Sequence, residues 1–485
     1  MGWARSSGWR REEWLLPALL YGLVLFAFAM RVSNLDYQSF WRDEVDAVLF
    51  ARESLPSLLA KFASVGENGP MYFLVLHYWI GLVGDSEFSV RFFSLVFGVI
   101  TVPLIFAVGN LIVGRWTGVT AAVIATLSPY HIWYSQEAKM YSLLAALTLL
   151  SVYLFLKALH SGRPIIWILY IVATSVALYV HFFAALVLLG EGAIFVANFG
   201  LYRSRLRGVL ISVAFLTLPY VPLAAWQIPM LVTPPPSPYE LLSLPEMATT
   251  LLSVFSVGEG SGNAAVLTLF IFLLLCAAIL GRGEASPCSR RPIANVFLFM
   301  LAPLAGFYVV SLRYPLFTER YLIIVLFAFQ ILLGAGLLAI GRRSKMLFVA
   351  CATLIAVVSW MDVYHFQHTP VKADFRAAVR YFEANAGESD AIMAVMPYMR
   401  RSFDYYHRGS YQWVDPPYAN QGVTGDEVSR ALKEAVGGIG RLWLFVAEED
   451  FWDNRALVRG WLDSNGRLRD EKEFVGVRLL YYELP

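Results

Sequence analysis

The chain has 485 residues, 58% of them hydrophobic and 15% charged. That balance is too apolar for a soluble globular protein of this length. A formal net charge of +2 leaves no basic surface for nucleic acid. Three dispersed cysteines, Cys276, Cys288 and Cys351, supply neither a disulfide framework nor a zinc site. The 14 Trp and 25 Tyr suit a protein with many membrane interfaces, where amphipathic rings settle.

Residues 15–30 carry no charge and begin the first span. No small-residue cleavage site follows, so this segment is expected to be a retained span rather than a signal peptide. Residues 32–90 are expected to form one long outside loop with helices lying on the bilayer. The apolar stretch 69–83 (GPMYFLVLHYWIGLV) is short for a span and is assigned to such an interfacial helix. Further apolar runs fall at 92–113, 117–134, 142–159, 165–182, 184–200, 208–230, 264–280, 293–312, 321–340 and 346–363. Together with the first they give roughly eleven spans of membrane length. Basic clusters recur at every second connection: Arg10 and Arg11, Arg115, Lys157 with Arg163, Arg203 to Arg207, Arg282 to Arg291, and Arg342 to Lys345. By the positive-inside rule the N-terminus is then cytoplasmic and the C-terminus outside. A Pro-rich stretch, VTPPPSPYE, opens a later outside connection. No internal repeat is visible, which argues against a transporter built on inverted repeats.

Composition changes after about residue 364. DFRAAVRYFEANAG reads as an amphipathic helix with an Asp cap and a Gly stop. DAIMAVMP and RLWLFVAE read as strands, DEVSRALKEAVGG and ALVRGWLDSNG as helices, and EFVGVRLLYYEL as terminal strand. The expected fold is therefore mostly α. A polytopic helix bundle over 1–363 is followed by a small extracytoplasmic α/β domain over 364–485. No Gly-rich phosphate loop is present.

Three groups of residues carry candidate chemistry. Asp43 and Glu44 stand side by side at the membrane edge, next to Trp41. On a helix they point about 100° apart, so one can face a substrate while the other braces it. A carboxylate within reach of an acceptor hydroxyl can serve as its general base. Glu137 lies in SPYHIWYSQEAKMY at the next outside connection, flanked by His131, Tyr134 and Lys139 as candidate cavity residues. Arg91, Arg313 and Arg320 sit at outside helix ends, against the usual charge bias. Phosphate is the natural anionic partner for a planar guanidinium there. His365 and His368 offer only two ligands, too few to make a metal site. A solvated surface loop remains the simpler reading of Asp43-Glu44, and a surface ion pair that of Glu137 with Lys139.

Taken together, FWRDE, ENGPMYFLVLHYWIGLVGDSEFSVRFFSLVFGVI, SPYHIWYSQEAKMYSLL, FTERYL and VKADFRAAVRYFEANAGESDAIM resemble the GT-C superfamily of membrane glycosyltransferases. The similarity is to the branch with protein O-mannosyltransferases and the lipid A aminoarabinose transferase. Two positions depart from it. Gly69-Pro70 stands where a Pro-Pro pair is usual, and Glu319 where Pro often precedes the late Arg. The resemblance implies a sugar donor linked to polyprenyl phosphate, used at the outer face of the plasma (inner) membrane. The sugar would pass, with inversion, to a lipid, glycan or protein acceptor. By the same resemblance Asp43 would be the base and Glu44 its assistant. Glu137 would shape the acceptor side, and Arg91 and Arg320 would face the donor phosphate. No organic cofactor is implied, and a divalent cation stays open. The competing readings are a carrier or flippase for lipid-linked sugars, a glycan polymerase or ligase, and a non-catalytic member of the fold.

Overall fold

The computed structural model describes residues 7–61, 69–217, 241–258, 291–419 and 422–485, with isolated positions between 220 and 279. Much of the run expected over 208–230, most of that over 264–280, the Pro-rich stretch 233–240, and Cys276 and Cys288 lie outside the described residues. The chain divides into two compact units. One comprises residues 1–33 and 51–365, the other residues 34–50 and 366–485.

The first unit is helical and apolar. Among the described residues six helices are long and apolar enough to cross a membrane: Trp14–Val32, Glu87–Ile112, Tyr141–Ser161, Pro292–Arg313, Glu319–Gly341 and Lys345–His368. A pair bent by 84°, Phe182–Ala197 and Phe199–Thr217, makes a seventh if it counts as one span. The segment 69–83 forms a shorter apolar helix, Met71–Val83. The run read as one span over 117–134 is broken. Helix Arg115–Leu127 stops, Ser128 accepts from the His131 amide as a cap, and Pro129 opens the seven-residue helix Pro129–Ser135. Serine followed by proline is a helix start, and here it outweighs the apolar run.

The sequence's departure at Gly69-Pro70 has a steric cause. A Cβ on Gly69 would stand 2.1 Å from the carbonyl oxygen of Tyr179. The obstacle is backbone, which cannot rotate aside as a side chain would. Gly69→Ala is therefore expected to cost about 1–3 kcal/mol, the usual scale of overpacking. A lowered thermal unfolding midpoint in detergent would register it, and an unchanged midpoint would contradict the close approach.

The second unit is an α/β domain. Its sheet runs β2-β1-β3-β5-β4, with β1 Ala391–Ala394, β2 Gln412–Val414, β3 Arg441–Ala447, β4 Arg467–Phe474 and β5 Val477–Glu483. Strand β1 pairs parallel with β2 and β3, while β5 runs antiparallel to β3 and β4. The central strands β1 and β3 are buried almost throughout, as their apolar runs require. The helix Phe375–Asn385 starts where the sequence puts its cap, with the Asp374 side chain accepting from the Ala377 amide at 3.0 Å. Helix Gly425–Ala435 opens with a capping box of Thr424 and Glu427. Strand β4, RLRDEKEF, is legible only through the hairpin at Gly476, whose φ is +63°. Its charges mark an edge strand protected against further pairing.

Candidate active site

The acidic motif belongs to the second unit. Residues Arg42–Arg52 form a helix whose first turn holds Asp43 and Glu44. The segment before it is tied to the domain at several points. Gln38 donates to the carbonyls of Phe366 (2.6 Å) and Thr369 (2.7 Å) and accepts from the Val371 amide at 3.0 Å. Ser39 donates to the Ala373 carbonyl at 2.7 Å, and the Phe40 amide donates to the Tyr406 hydroxyl oxygen at 2.6 Å. Trp41 packs against the domain core.

Within this helix the two carboxylates differ. Glu44 is fully buried, and its Oε2 lies 3.5 Å from Nζ of the nearly buried Lys372. Asp43 is the more open of the pair, 19% exposed, with the Arg42 guanidinium at 3.5 Å. Arg42 is fixed in turn. Its Nε donates to Glu448 at 3.3 Å, and its guanidinium lies over the rings of Tyr398 and Trp452. Burial works against the Arg42 charge. The carboxylates of Glu448, Asp43 and Asp46 outweigh it and hold the guanidinium above its ordinary value. Glu448 is itself clamped. Trp452 Nε1 donates to its other oxygen at 3.0 Å, and its backbone sits at φ +52°, a conformation that costs a non-glycine residue about 1–2 kcal/mol. Strain of this kind persists only where the surroundings over-determine it.

The other candidates belong to the first unit. Arg91, on the helix Glu87–Ile112, and Glu137, in the turn after Ser135, are both almost wholly buried. The Ser94 hydroxyl donates to the Lys139 carbonyl at 3.3 Å, joining the helix of Arg91 to the turn of Glu137 and the half-buried Lys139. Tyr134 donates to Glu319 Oε1 at 3.3 Å, and Tyr130 donates to the Glu319 carbonyl at 2.9 Å. Glu319, the second departure noted in the sequence, thus fastens the second-loop motif to the late Arg-Tyr motif. Beside it the Arg320 guanidinium lies 6.0 Å from the ring centres of both Tyr141 and Tyr321. Arg313 stays outside this cluster. It is exposed and donates to the Val232 carbonyl at 2.7 Å.

His131 is wholly buried and spends both ring nitrogens on fixed partners. Arg31 Nη2 donates to Nδ1 at 2.8 Å, so the proton of the neutral ring sits on Nε2 and goes to Thr101 Oγ1 at 3.0 Å. Arg31 also donates to the carbonyls of Ala125 and Thr126 at the end of helix Arg115–Leu127. It is a cation at a helix C-terminus, completely buried. Sequence reasoning passed over Arg31 and also His181. Each is a single polar residue at the end of an apolar run, and the partners of Arg31 lie about a hundred positions away. Among the described residues no group of three or more His, Cys, Asp or Glu side chains is arranged to hold a metal ion.

The fold has counterparts in solved structures. ArnT from Cupriavidus metallidurans in the apo state matches with a TM-score of 0.62 at 12% identity, over 97% of this chain and 98% of that one. The same protein bound to undecaprenyl phosphate matches at 0.54 and 14% identity, over 97% and 98%. The chain has the GT-C fold. The archaeal oligosaccharyltransferase AglB from Archaeoglobus fulgidus, in complex with an inhibitory peptide and a dolichol-phosphate, matches at 0.54 and 11% identity, over 98% of this chain and 74% of that one. The family model described as dolichyl-phosphate-mannose-protein mannosyltransferase matches residues 67–226, which include Arg91 and the whole second-loop motif. No curated protein sequence matches the chain.

Proposed function

We propose that this protein is an integral-membrane glycosyltransferase that moves a sugar from a polyprenyl-phosphate carrier to an acceptor outside the membrane, with inversion. The observation that carries the reading is the carboxylate pair at the start of helix Arg42–Arg52, on a GT-C fold. One member is buried against Lys372 and the other is open beside a clamped Arg42. Structural relatives described with undecaprenyl phosphate and with dolichol-phosphate support the donor class.

In this reading Asp43 takes the proton of the acceptor hydroxyl as its oxygen attacks the anomeric carbon. The bond from that carbon to the phosphate oxygen breaks, and polyprenyl phosphate leaves with the electron pair. A phosphate is a good leaving group, so orienting the hydroxyl and meeting the departing charge is most of the catalytic work. Glu44 braces the turn through Lys372. Arg91 and Arg320 supply positive charge for the phosphate, and Glu137 shapes the acceptor side with Tyr134 and Lys139 near it in the same loop. His131 anchors the second-loop helix through Arg31. The N-terminus is cytoplasmic and the domain after residue 365 is outside.

A carrier reading calls for working charges inside the bundle. Among the described residues Arg31 and Glu191 lie buried in the bundle besides the site candidates Arg91 and Glu137, and both are already engaged. Arg31 is bound as described. Glu191 accepts from Ser151 at 2.9 Å and from Tyr170 at 2.6 Å. Neither is poised to move with a cargo.

Mass spectrometry of lipids and surface glycans with and without the gene tests the function directly. A lipid-linked sugar should accumulate, and one glycan or lipid modification should disappear, when the gene is deleted. Unchanged profiles would reject the reading. Orientation has its own test. An impermeant thiol reagent applied to intact cells should label Gly425→Cys and spare Arg205→Cys, and the reverse pattern would reject the topology.

Glu448 is expected to act on the reaction through Arg42. Glu448→Gln keeps the shape and removes the charge that holds the guanidinium, a contact on the scale of 1.5–3 kcal/mol. Turnover should fall about tenfold while the KM for donor stays unchanged. An increase in donor KM with turnover intact would place Glu448 elsewhere in the chemistry.

A further inference from the structure

His181 has no role in the reading above, and its surroundings are unusual for a histidine in an apolar bundle. Helix Pro164–Val180 stops just before it, and His181 is extended at φ −158°, ψ 129°. Its Nδ1 accepts from the Phe183 amide at 3.2 Å and so caps the short turn that follows. A backbone amide can only donate, so in the neutral ring the proton must sit on Nε2. That Nε2–H is fully buried and meets no acceptor among the described residues. An unpaired buried donor costs roughly 1–3 kcal/mol, and one kept in a native fold calls for an explanation.

The position of the ring supplies one. His181 lies 5.3 Å from the Tyr321 ring and 6.4 Å from the Tyr141 ring. These are the two rings beside which the Arg320 guanidinium lies. A permanent cation and a neutral N–H donor thus share one aromatic frame. The break between helices Pro164–Val180 and Ala185–Ala197 falls at the same place. From His181 an aromatic row leads away: Phe183 at 5.4 Å from its ring, Phe307 at 5.0 Å from Phe183, and Phe317 at 6.3 Å from Phe307. A neutral N–H donor beside a permanent cation suits a phosphate head, and the packed aromatic rings hold the two in place.

We infer that His181 Nε2–H donates a hydrogen bond to the phosphate of the lipid carrier beside Arg320. This deepens the proposed function and rests on it for the identity of the lipid. It assigns His181 as a neutral ligand to the phosphate, distinct from the arginines that supply charge.

Binding of undecaprenyl phosphate, undecaprenol and inorganic phosphate to the purified full-length protein in detergent tests the assignment. The wild-type protein should prefer undecaprenyl phosphate to undecaprenol and bind inorganic phosphate weakly. His181→Phe keeps a ring in the stack and removes the donor. It should weaken undecaprenyl phosphate about tenfold and leave undecaprenol unchanged. His181→Gln, which restores an N–H, should recover part of the loss. Unchanged affinity for undecaprenyl phosphate in His181→Phe would overturn the assignment. So would an equal loss for both lipids, which marks a purely structural ring. If inorganic phosphate binds as tightly as the lipid, the site belongs to a free anion. If the wild-type protein itself fails to distinguish phosphate from alcohol, the donor class falls, and this inference with it.

Discussion

Asp43→Asn should abolish sugar transfer while leaving the protein folded and inserted. The substitution keeps the size and shape of the side chain and removes its charge. General-base catalysis contributes about a hundredfold to ten-thousandfold, so the loss should be at least about a hundredfold in turnover. The fold should tolerate the change because Asp43 is partly open. The segment before it is held to its own domain by backbone and amide contacts that do not involve its carboxylate. Glu44→Gln is a useful contrast. Glu44 is buried against Lys372, so its neutralisation leaves a buried ammonium poorly compensated and should lower stability more than Asp43→Asn does. Turnover of purified Asp43→Asn with a polyprenyl-phosphate sugar, alongside its unfolding midpoint, separates the two effects. Near-normal turnover would remove Asp43 from the role of base.

The motif FWRDE was legible because it breaks the composition around it: charges and a Trp just past an apolar run. What the sequence did not reveal is which part of the protein holds it. The motif is only some forty residues from the N-terminus, yet residues 34–50 form one compact unit with 366–485. Its partners Lys372, Tyr406 and Glu448 are more than three hundred positions away. Hydrophobic periodicity reports local structure and is blind to such pairings. The same limit hid Arg31 and His181. A lone Arg ending an apolar run reads as a side chain reaching for the interface. In the fold it turns inward to cap another helix and hold His131. The helices of the α/β domain were easier, because caps such as Asp374 and the Thr424-Glu427 box are written within four residues. Strand β4 was hard because its burial is too slight to leave an apolar pattern.

Arg320→Ala should raise the concentration of lipid donor needed for half-maximal rate, with little effect on the acceptor. Arg320 sits at the start of the helix Glu319–Gly341, its guanidinium beside Tyr141 and Tyr321. A hydrogen bond from a charged group to a phosphate is worth roughly 1.5–3 kcal/mol, which converts to about a tenfold to hundredfold rise in donor requirement. Lysine should restore only part of it, since an ammonium keeps the charge and loses the planar fork and the stacking on the rings. The alternative is that Arg320 serves the fold through its neighbour Glu319. The structure sharpens that comparison, because the Glu319 carboxylate already receives the Tyr134 hydroxyl and its carbonyl receives that of Tyr130. Glu319→Gln keeps an oxygen for Tyr134 and leaves the backbone contact untouched. It should therefore change donor dependence far less than Arg320→Ala does. If the two variants shift donor dependence alike, Arg320 acts through Glu319. If only the acceptor dependence moves, the phosphate lies elsewhere and the donor half of the proposed site must be redrawn.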